Sequence, residues 1–166
     1  MKIRKLREED LVARVEWMNN PKVYSSMHFI VPVLWENTIC WYENNKTKET
    51  RVDVVFEEDG QLLAMGGLTN INKETNKAEL YIFVNPNLQR GGIGSRATRL
   101  LCKYGFENLN LNKIYLETNE DNYAAKRVYE KCGFQLEGTL RKEYKTNEGI
   151  LKNRLYYGLL KDELHE

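Results

Sequence analysis

Charged and apolar residues alternate from Lys2 to Leu6, the two-residue period of a short strand. Asp10 is then positioned as an N-cap for a helix whose apolar stripe is Leu11, Val12, Val15 and Met18, and Asn19-Asn20-Pro21 breaks that helix. Val23 to Asn44 reads as a second helical region, rich in aromatic residues and interrupted around Val31-Pro32. Near Arg51 the period changes. Val52 to Glu57 and Leu62 to Asn70 are strand-like, joined by the turn Glu58-Asp59-Gly60. A turn at Lys73 to Asn76 leads into Glu79-Leu80-Tyr81-Ile82-Phe83-Val84, whose near-continuous apolar run predicts a strand buried on both faces and ended by Pro86.

From Ile93 the spacing is helical, with Ala97, Leu100, Leu101 and Tyr104 on one stripe. Lys113 to Thr118 predicts a strand, and Asp121 to Cys132 a helix stopped by Gly133. Phe134 to Tyr144 and Ile150 to Leu160 predict a hairpin turning at Asn147-Glu148-Gly149. This order implies a mixed α/β (α+β) fold, with residues 1–166 as a single domain. A chain of 166 residues is long enough to bury a proper core.

Composition narrows the partners. The formal net charge is +1, without the basic surplus that a dedicated nucleic-acid binder needs. Met1 to Asp10 is too densely charged for a signal peptide, and no apolar run approaches the roughly 20 residues of a membrane helix. A cytoplasmic protein with no membrane partner is expected. Cys40, Cys102 and Cys132 are odd in number and lack metal-type spacing, so they read as buried reduced thiols with no metal site.

The candidate chemistry starts at Gln89-Arg90-Gly91-Gly92-Ile93-Gly94, between the apolar strand and a helix. Unpaired N–H groups at a helix N-terminus favour an anion, and glycines let a phosphate oxygen approach them. A Walker A loop is excluded because Ser95-Arg96 follows Gly94 where Lys-Ser/Thr is required. The dinucleotide fingerprint is a rival, since Gly92-Ile93-Gly94-Ser95-Arg96-Ala97 matches its loose form and Glu117 lies about 20 residues on. Against it stand the seven residues Asn85 to Gly91 between strand and first glycine, and the hairpins on either side.

Val84-Asn85-Pro86 followed by Gln89-Arg90-Gly91-Gly92-Ile93-Gly94 resembles the acetyl-CoA motif of the GNAT superfamily of N-acetyltransferases. Asn122 to Phe134, in particular Asn122-Tyr123-Ala124-Ala125 and Tyr129-Glu130-Lys131-Cys132-Gly133-Phe134, resembles the family's second motif. The tail from Leu136 to Arg141 with Tyr156-Tyr157 is similar to the Rim-type subgroup, which acetylates ribosomal-protein N-termini; Asn153 departs from it, where many such tails carry Asp.

The resemblance implies a mostly antiparallel sheet, splayed where pantetheine inserts, with helices on both faces. It implies acetyl-CoA as cosubstrate, with no metal and no covalent intermediate. It makes Phe83, Val84, Gln89, Arg90, Gly91, Gly92, Ile93, Gly94, Ser95, Asn122 and Tyr129 the candidate cofactor-binding residues. Pro86 cannot donate to a ladder, so pairing is expected to fail where Val84 ends.

Tyr129 is either a core tyrosine or the general acid at the sulfur; Glu79 is either a solvated strand-end residue or the general base. The acceptor is left open between a small-molecule amine, an amino-sugar nucleotide and a peptide N-terminus. Glu36, Glu43 and Glu79 are candidate carboxylates for it, and Arg141, Lys142 and Arg154 candidate phosphate partners. The terminal hairpin offers an edge for a homodimer. Two other readings are a non-catalytic CoA-binding sensor and a nicotinamide-dinucleotide oxidoreductase.

Overall fold

A computed structural model describes residues 1–27, 29–88, 91–146 and 148–165. In chain order the elements are β1 (Lys2–Lys5), α1 (Leu11–Met18), α2 (Pro21–Tyr24), α3 (Trp35–Asn45), β2 (Val52–Glu58), β3 (Gln61–Asn72) and β4 (Lys77–Val84). There follow α4 (Ile93–Asn108), β5 (Lys113–Asn119), α5 (Tyr123–Lys131), β6 (Gln135–Lys145) and β7 (Leu151–Leu160). Among the described residues seven strands form one sheet in the order β1-β2-β3-β4-β5-β7-β6. Neighbours are antiparallel except β4 and β5.

Alternation along β4 shows why helices cover both faces. Ala78 and Leu80 turn to one side and join Ala97, Leu101 and Phe106 of α4 in the larger core. Phe83 turns to the other and packs with Leu11 and Trp17 of α1, with Tyr81 at the margin. The expected mixed fold and its hairpins at Asp59-Gly60 and after Lys145 are present, and Asp59 and Gly60 both take positive φ. The terminal hairpin joins the sheet through its second strand, leaving β6 as an edge.

Three local expectations are corrected. Asp10 is not an N-cap: it lies in helical backbone, and its carboxylate accepts two bonds from the Arg4 guanidinium at 2.7 and 2.8 Å and one from the Arg7 N–H. The Arg4 guanidinium brings an opposite full charge and two bonds to the carboxylate, where a cap would bring one bond from a neutral N–H. The stripe of α1 that is buried is Leu11, Arg14 and Trp17, while Val12 is exposed; the Trp17 ring packs edge-on against Phe83 at 6.4 Å. Cys40 is exposed, so only Cys102 and Cys132 are the buried thiols expected, and burial raises the pKa of both.

Gly66 and Gly67 in β3 make room for its neighbours. A β-carbon at Gly67 would stand 2.5 Å from the Val52 carbonyl oxygen and 2.6 Å from the Tyr81 ring. The Tyr81 hydroxyl donates to Asp53, which also holds Arg51. Gly67→Ala is therefore expected to destabilise by about 1–3 kcal/mol, read as a lowered melting temperature, whereas Gly60→Ala, with open space around it, is expected to lose only the cost of its turn backbone.

Candidate active site

The β4–β5 ladder is short. Only Lys77–Lys113, Ala78–Ile114 and Glu79–Tyr115 pair, and beyond Glu79 the two strands part while β5 stays paired with β7 as far as Asn119. The opening begins at Leu80, five residues before Asn85, and Pro86 is not its cause. On its other side β4 remains bonded to β3 through Ala64–Val84, and the Asn85 N–H still reaches the Leu63 carbonyl. A cleft of about 550 Å³ fills the gap. Glu79, Phe83, Val84, Gly94, Asn122 and Tyr129 all line it, so six of the candidate residues meet in one place.

One wall of the cleft follows from two helix starts. Gly91 and Gly92 have φ of 95° and 67°, backbone that glycine adopts without strain, and a β-carbon on either would meet open space. The first helical bond of α4 runs from the Arg96 N–H to the Gly92 carbonyl, so the N–H groups of Ile93, Gly94 and Ser95 lie ahead of it. Gly94 sits against Val84 and Val128, where a β-carbon would lie 3.6 Å from Val128. The Ser95 side chain is buried and its carbonyl accepts from Cys132 Sγ, which leaves its backbone N–H as the group available at the helix start. Gln89 and Arg90 lie outside the described residues.

Asn122 caps α5, its Oδ1 accepting from the Ala125 N–H at 3.1 Å. At the other end Gly133 (φ 103°) and Phe134 close a Schellman motif: the Gly133 N–H bonds the Glu130 carbonyl and the Phe134 N–H bonds the Tyr129 carbonyl. That motif fixes Tyr129, because Phe134 then packs its ring against the Tyr129 ring at 5.7 Å, with Tyr157 at 6.4 Å. Burial pushes the Tyr129 hydroxyl up to about 12, so it stays protonated through the neutral range.

The end of the cleft around Glu79 contains residues that pattern reading missed. A register shift between Thr69 and Asn72 in β3 falls opposite the start of β4 and puts Asn70 in left-handed backbone (φ 50°). Asn70 Nδ2 thereby donates to Glu79 Oε2 at 2.7 Å. Tyr115 and Tyr156 stack beside Glu79 with centroids 5.2 Å apart. Arg154 lines the cleft and pairs with Glu117 at 2.8 Å, so Glu117 has an ion partner within the chain. An Asn at a strand end, which tolerates positive φ, was the available signal for Asn70; the Glu117–Arg154 pair leaves none in local sequence.

Other candidates do not converge. Glu36 and Glu43 are exposed on α3, Glu43 against Lys46, and neither lines the cleft. Arg141 and Lys142 are exposed on β6. Of the aromatic residues on α3, Trp35 is exposed, while the Trp41 ring has the guanidinium of Arg14 at 4.3 Å and that of Arg51 at 5.0 Å. Arg14 is 7% exposed and its Nη1 has no hydrogen-bond partner among the described residues. Stacking of about 2 kcal/mol on a desolvated ring is of the size of the bond it forgoes, about 1–3 kcal/mol.

A sheet opened between its one parallel pair, with a helix N-terminus beside the opening, is the architecture of a transferase that takes an acyl group from coenzyme A. The family model described as "Acetyltransferase (GNAT) domain" matches residues 1–135. The chain is 32% identical over 150 residues to the spermidine N(1)-acetyltransferase of Escherichia coli K12, covering 89% of this chain and 79% of that one. It is 34% identical over 105 residues to the putative ribosomal N-acetyltransferase YdaF of Bacillus subtilis 168, covering 63% and 57%. The crystal structure of spermidine N-acetyltransferase from Vibrio cholerae in complex with CoA and spermine superposes with a TM-score of 0.89 at 27% identity, covering 98% and 96%.

The chain belongs to the GNAT acetyltransferase family. It is an acetyl-CoA-dependent N-acetyltransferase that acts on a primary amine, and neither the sensor nor the nicotinamide-dinucleotide reading is favoured. The loose dinucleotide match has a structural explanation: β4, α4 and β5 do form one parallel crossover, but the remaining neighbours are antiparallel and Glu117 is engaged with Arg154. No helix of the described residues is long and apolar enough to cross a membrane.

The cap gives a test of the frame. Asn122→Ala is expected to lose about 1 kcal/mol of stability and Asn122→Ser to retain most of it. Equal melting temperatures for wild type and Asn122→Ala would show that α5 does not depend on its cap.

Proposed function

We propose that the chain acetylates a small-molecule amine, with Glu79 receiving the amine's proton and Tyr129 assisting the departing sulfur. The observation that carries this reading is the shared cleft: Glu79 stands where β4 and β5 part, and Tyr129 lines the same opening from α5. The relatives named as acting on spermidine support a small amine over a protein N-terminus.

Acetyl-CoA supplies an activated acyl group as a thioester. The chain's part is to bind, orient and move protons. Backbone groups of β4 from Leu80 to Val84, unpaired toward β5, bond the pantetheine arm as an added strand would, and an N–H near Val84 faces the thioester oxygen. The N–H groups of Ile93, Gly94 and Ser95, ahead of the first helical bond of α4, hold the pyrophosphate, with Gly91 and Gly92 leaving the approach open, and the Asn122 amide bonds the pantetheine arm.

An alkyl ammonium has a pKa of about 10.4, so at neutral pH it must lose a proton before it attacks. Asn70 holds the Glu79 carboxylate in one orientation to take it, directly or through water. Tyr129 acts differently from a simple acid. A thiol has a reference pKa of about 8.5, below the value of about 12 at Tyr129, so complete transfer of the phenolic proton to a thiolate runs uphill. The hydroxyl therefore works by donating a hydrogen bond to the sulfur as the C–S bond breaks; the first proton of the ammonium goes to Glu79, and the second, shed by the nitrogen as the amide forms, restores the thiol.

Two variants test these roles. Tyr129→Phe is expected to lower kcat by about 10²-fold at every pH up to about 10, because a hydroxyl at about 12 does not ionise below that. Glu79→Gln is expected to lower kcat/KM at neutral pH by about tenfold or more, with the deficit shrinking as the pH approaches the amine's own pKa of about 10.4. Unchanged kcat in both variants would overturn the assignment.

A further inference from the structure

Four charged side chains line the cleft among the described residues: Glu79 and Glu117, Lys22 and Arg154. They are not equally available. Arg154 Nη1 lies 2.8 Å from Glu117 Oε2, and its Nη2 donates to the Glu117 carbonyl at 3.2 Å. Both side chains are about four-fifths buried, at 22% and 23% exposed, so solvent screens the pair weakly. Arg154 Nε is buried and has no partner among the described residues. Glu79 has a neutral partner, Asn70, and no ion-pair partner among the described residues.

The acceptor's reacting ammonium thus meets one uncommitted carboxylate. A second ammonium on the same molecule needs another, and among the described residues the only other carboxylate lining the cleft is held by a guanidinium that repels it. Lys22, whose Nζ rests on the Pro86 carbonyl, adds positive charge on the far wall. Behind that wall the buried Arg14 guanidinium, 5.5 Å from the Phe83 ring centre and 5.8 Å from that of Tyr81, adds more.

We infer that the Arg154–Glu117 pair is a charge filter on the acceptor, admitting amines whose far end is neutral or anionic and rejecting those that carry a second ammonium. The inference rests on the reading of this cleft as the site of acetyl transfer to a small amine. It separates this chain from the substrate named for its spermidine-acetylating relatives. Arg154 is a specificity residue here, acting on the far end of the acceptor and not on the reacting atoms.

The test is CoA release by the full chain with three amines of one length: n-pentylamine, δ-aminovalerate and cadaverine, whose far ends are neutral, anionic and cationic. For wild type, kcat/KM with cadaverine is expected to fall on the order of tenfold below the other two. Arg154→Gln, which frees Glu117, is expected to close or reverse that gap. Glu117→Gln, which frees Arg154, is expected to widen it and to favour δ-aminovalerate.

Opposite shifts in ranking are the signature of a filter, since a pair that only braces β5 against β7 would slow all three amines together in both variants. Cadaverine as the best wild-type substrate, or rankings unmoved in both variants, overturns the filter while leaving the small-amine reading intact. CoA release with a peptide N-terminus and with none of the three amines overturns both.

Discussion

Everything functional in this fold depends on a ladder that stops after three residue pairs. β4 and β5 are joined from Lys77 to Glu79 and then separate, and β3 and β7 hold them from outside. Unpaired backbone in the middle of a sheet is costly unless something bonds it. A full-length β4–β5 ladder would remove that cost and close the cleft with it. The opening persists because each strand is anchored along its whole length by its other neighbour, so neither can swing across. The pantetheine arm, which carries amides of its own, is the kind of ligand that such an edge selects.

The two walls of the opening are held by unusual backbone. On the donor wall the glycine turn before α4 and the Schellman closure of α5 use positive φ at Gly91, Gly92 and Gly133. The latter is enforced sterically: a β-carbon at Gly133 would lie 2.0 Å from the Glu163 carbonyl oxygen. On the acceptor wall the shift in β3 places Asn70 at positive φ and turns its amide onto Glu79. Tyr129 and Glu79 are each oriented by a neighbour whose own backbone is locked, which is how a site gains the precision that catalysis requires.

Local sequence made the donor wall legible. Gly91 to Gly94 and Asn122 to Phe134 are contiguous, so their spacing implied a helix start and a helix stop, and the structure has both. The order of the strands, and their limits to within two residues, were legible for the same reason, because period and turn residues act within a few positions. What was not legible was set by partners distant in the chain. Asp10 has the composition of a cap, yet the Arg4 side chain, six residues away, claims its carboxylate. Pro86 suggested where the strands would part, but the divergence begins at Leu80, where the ladder to β5, more than thirty positions on in the chain, gives out.

The acceptor wall is the extreme case of that limit. Glu117 and Arg154 are 37 positions apart and meet only because β5 and β7 are neighbours in an order that skips β6. Read separately, Glu117 is the acidic residue of a dinucleotide fingerprint, and Arg154 a partner for a phosphate. Read together they cancel, and the cleft's charge balance changes from two available carboxylates to one. Donor recognition follows from backbone geometry, which motifs encode compactly; acceptor recognition follows from charge pairs across strands, which they do not. Family membership therefore constrains the acyl donor of this enzyme far more tightly than it constrains the amine.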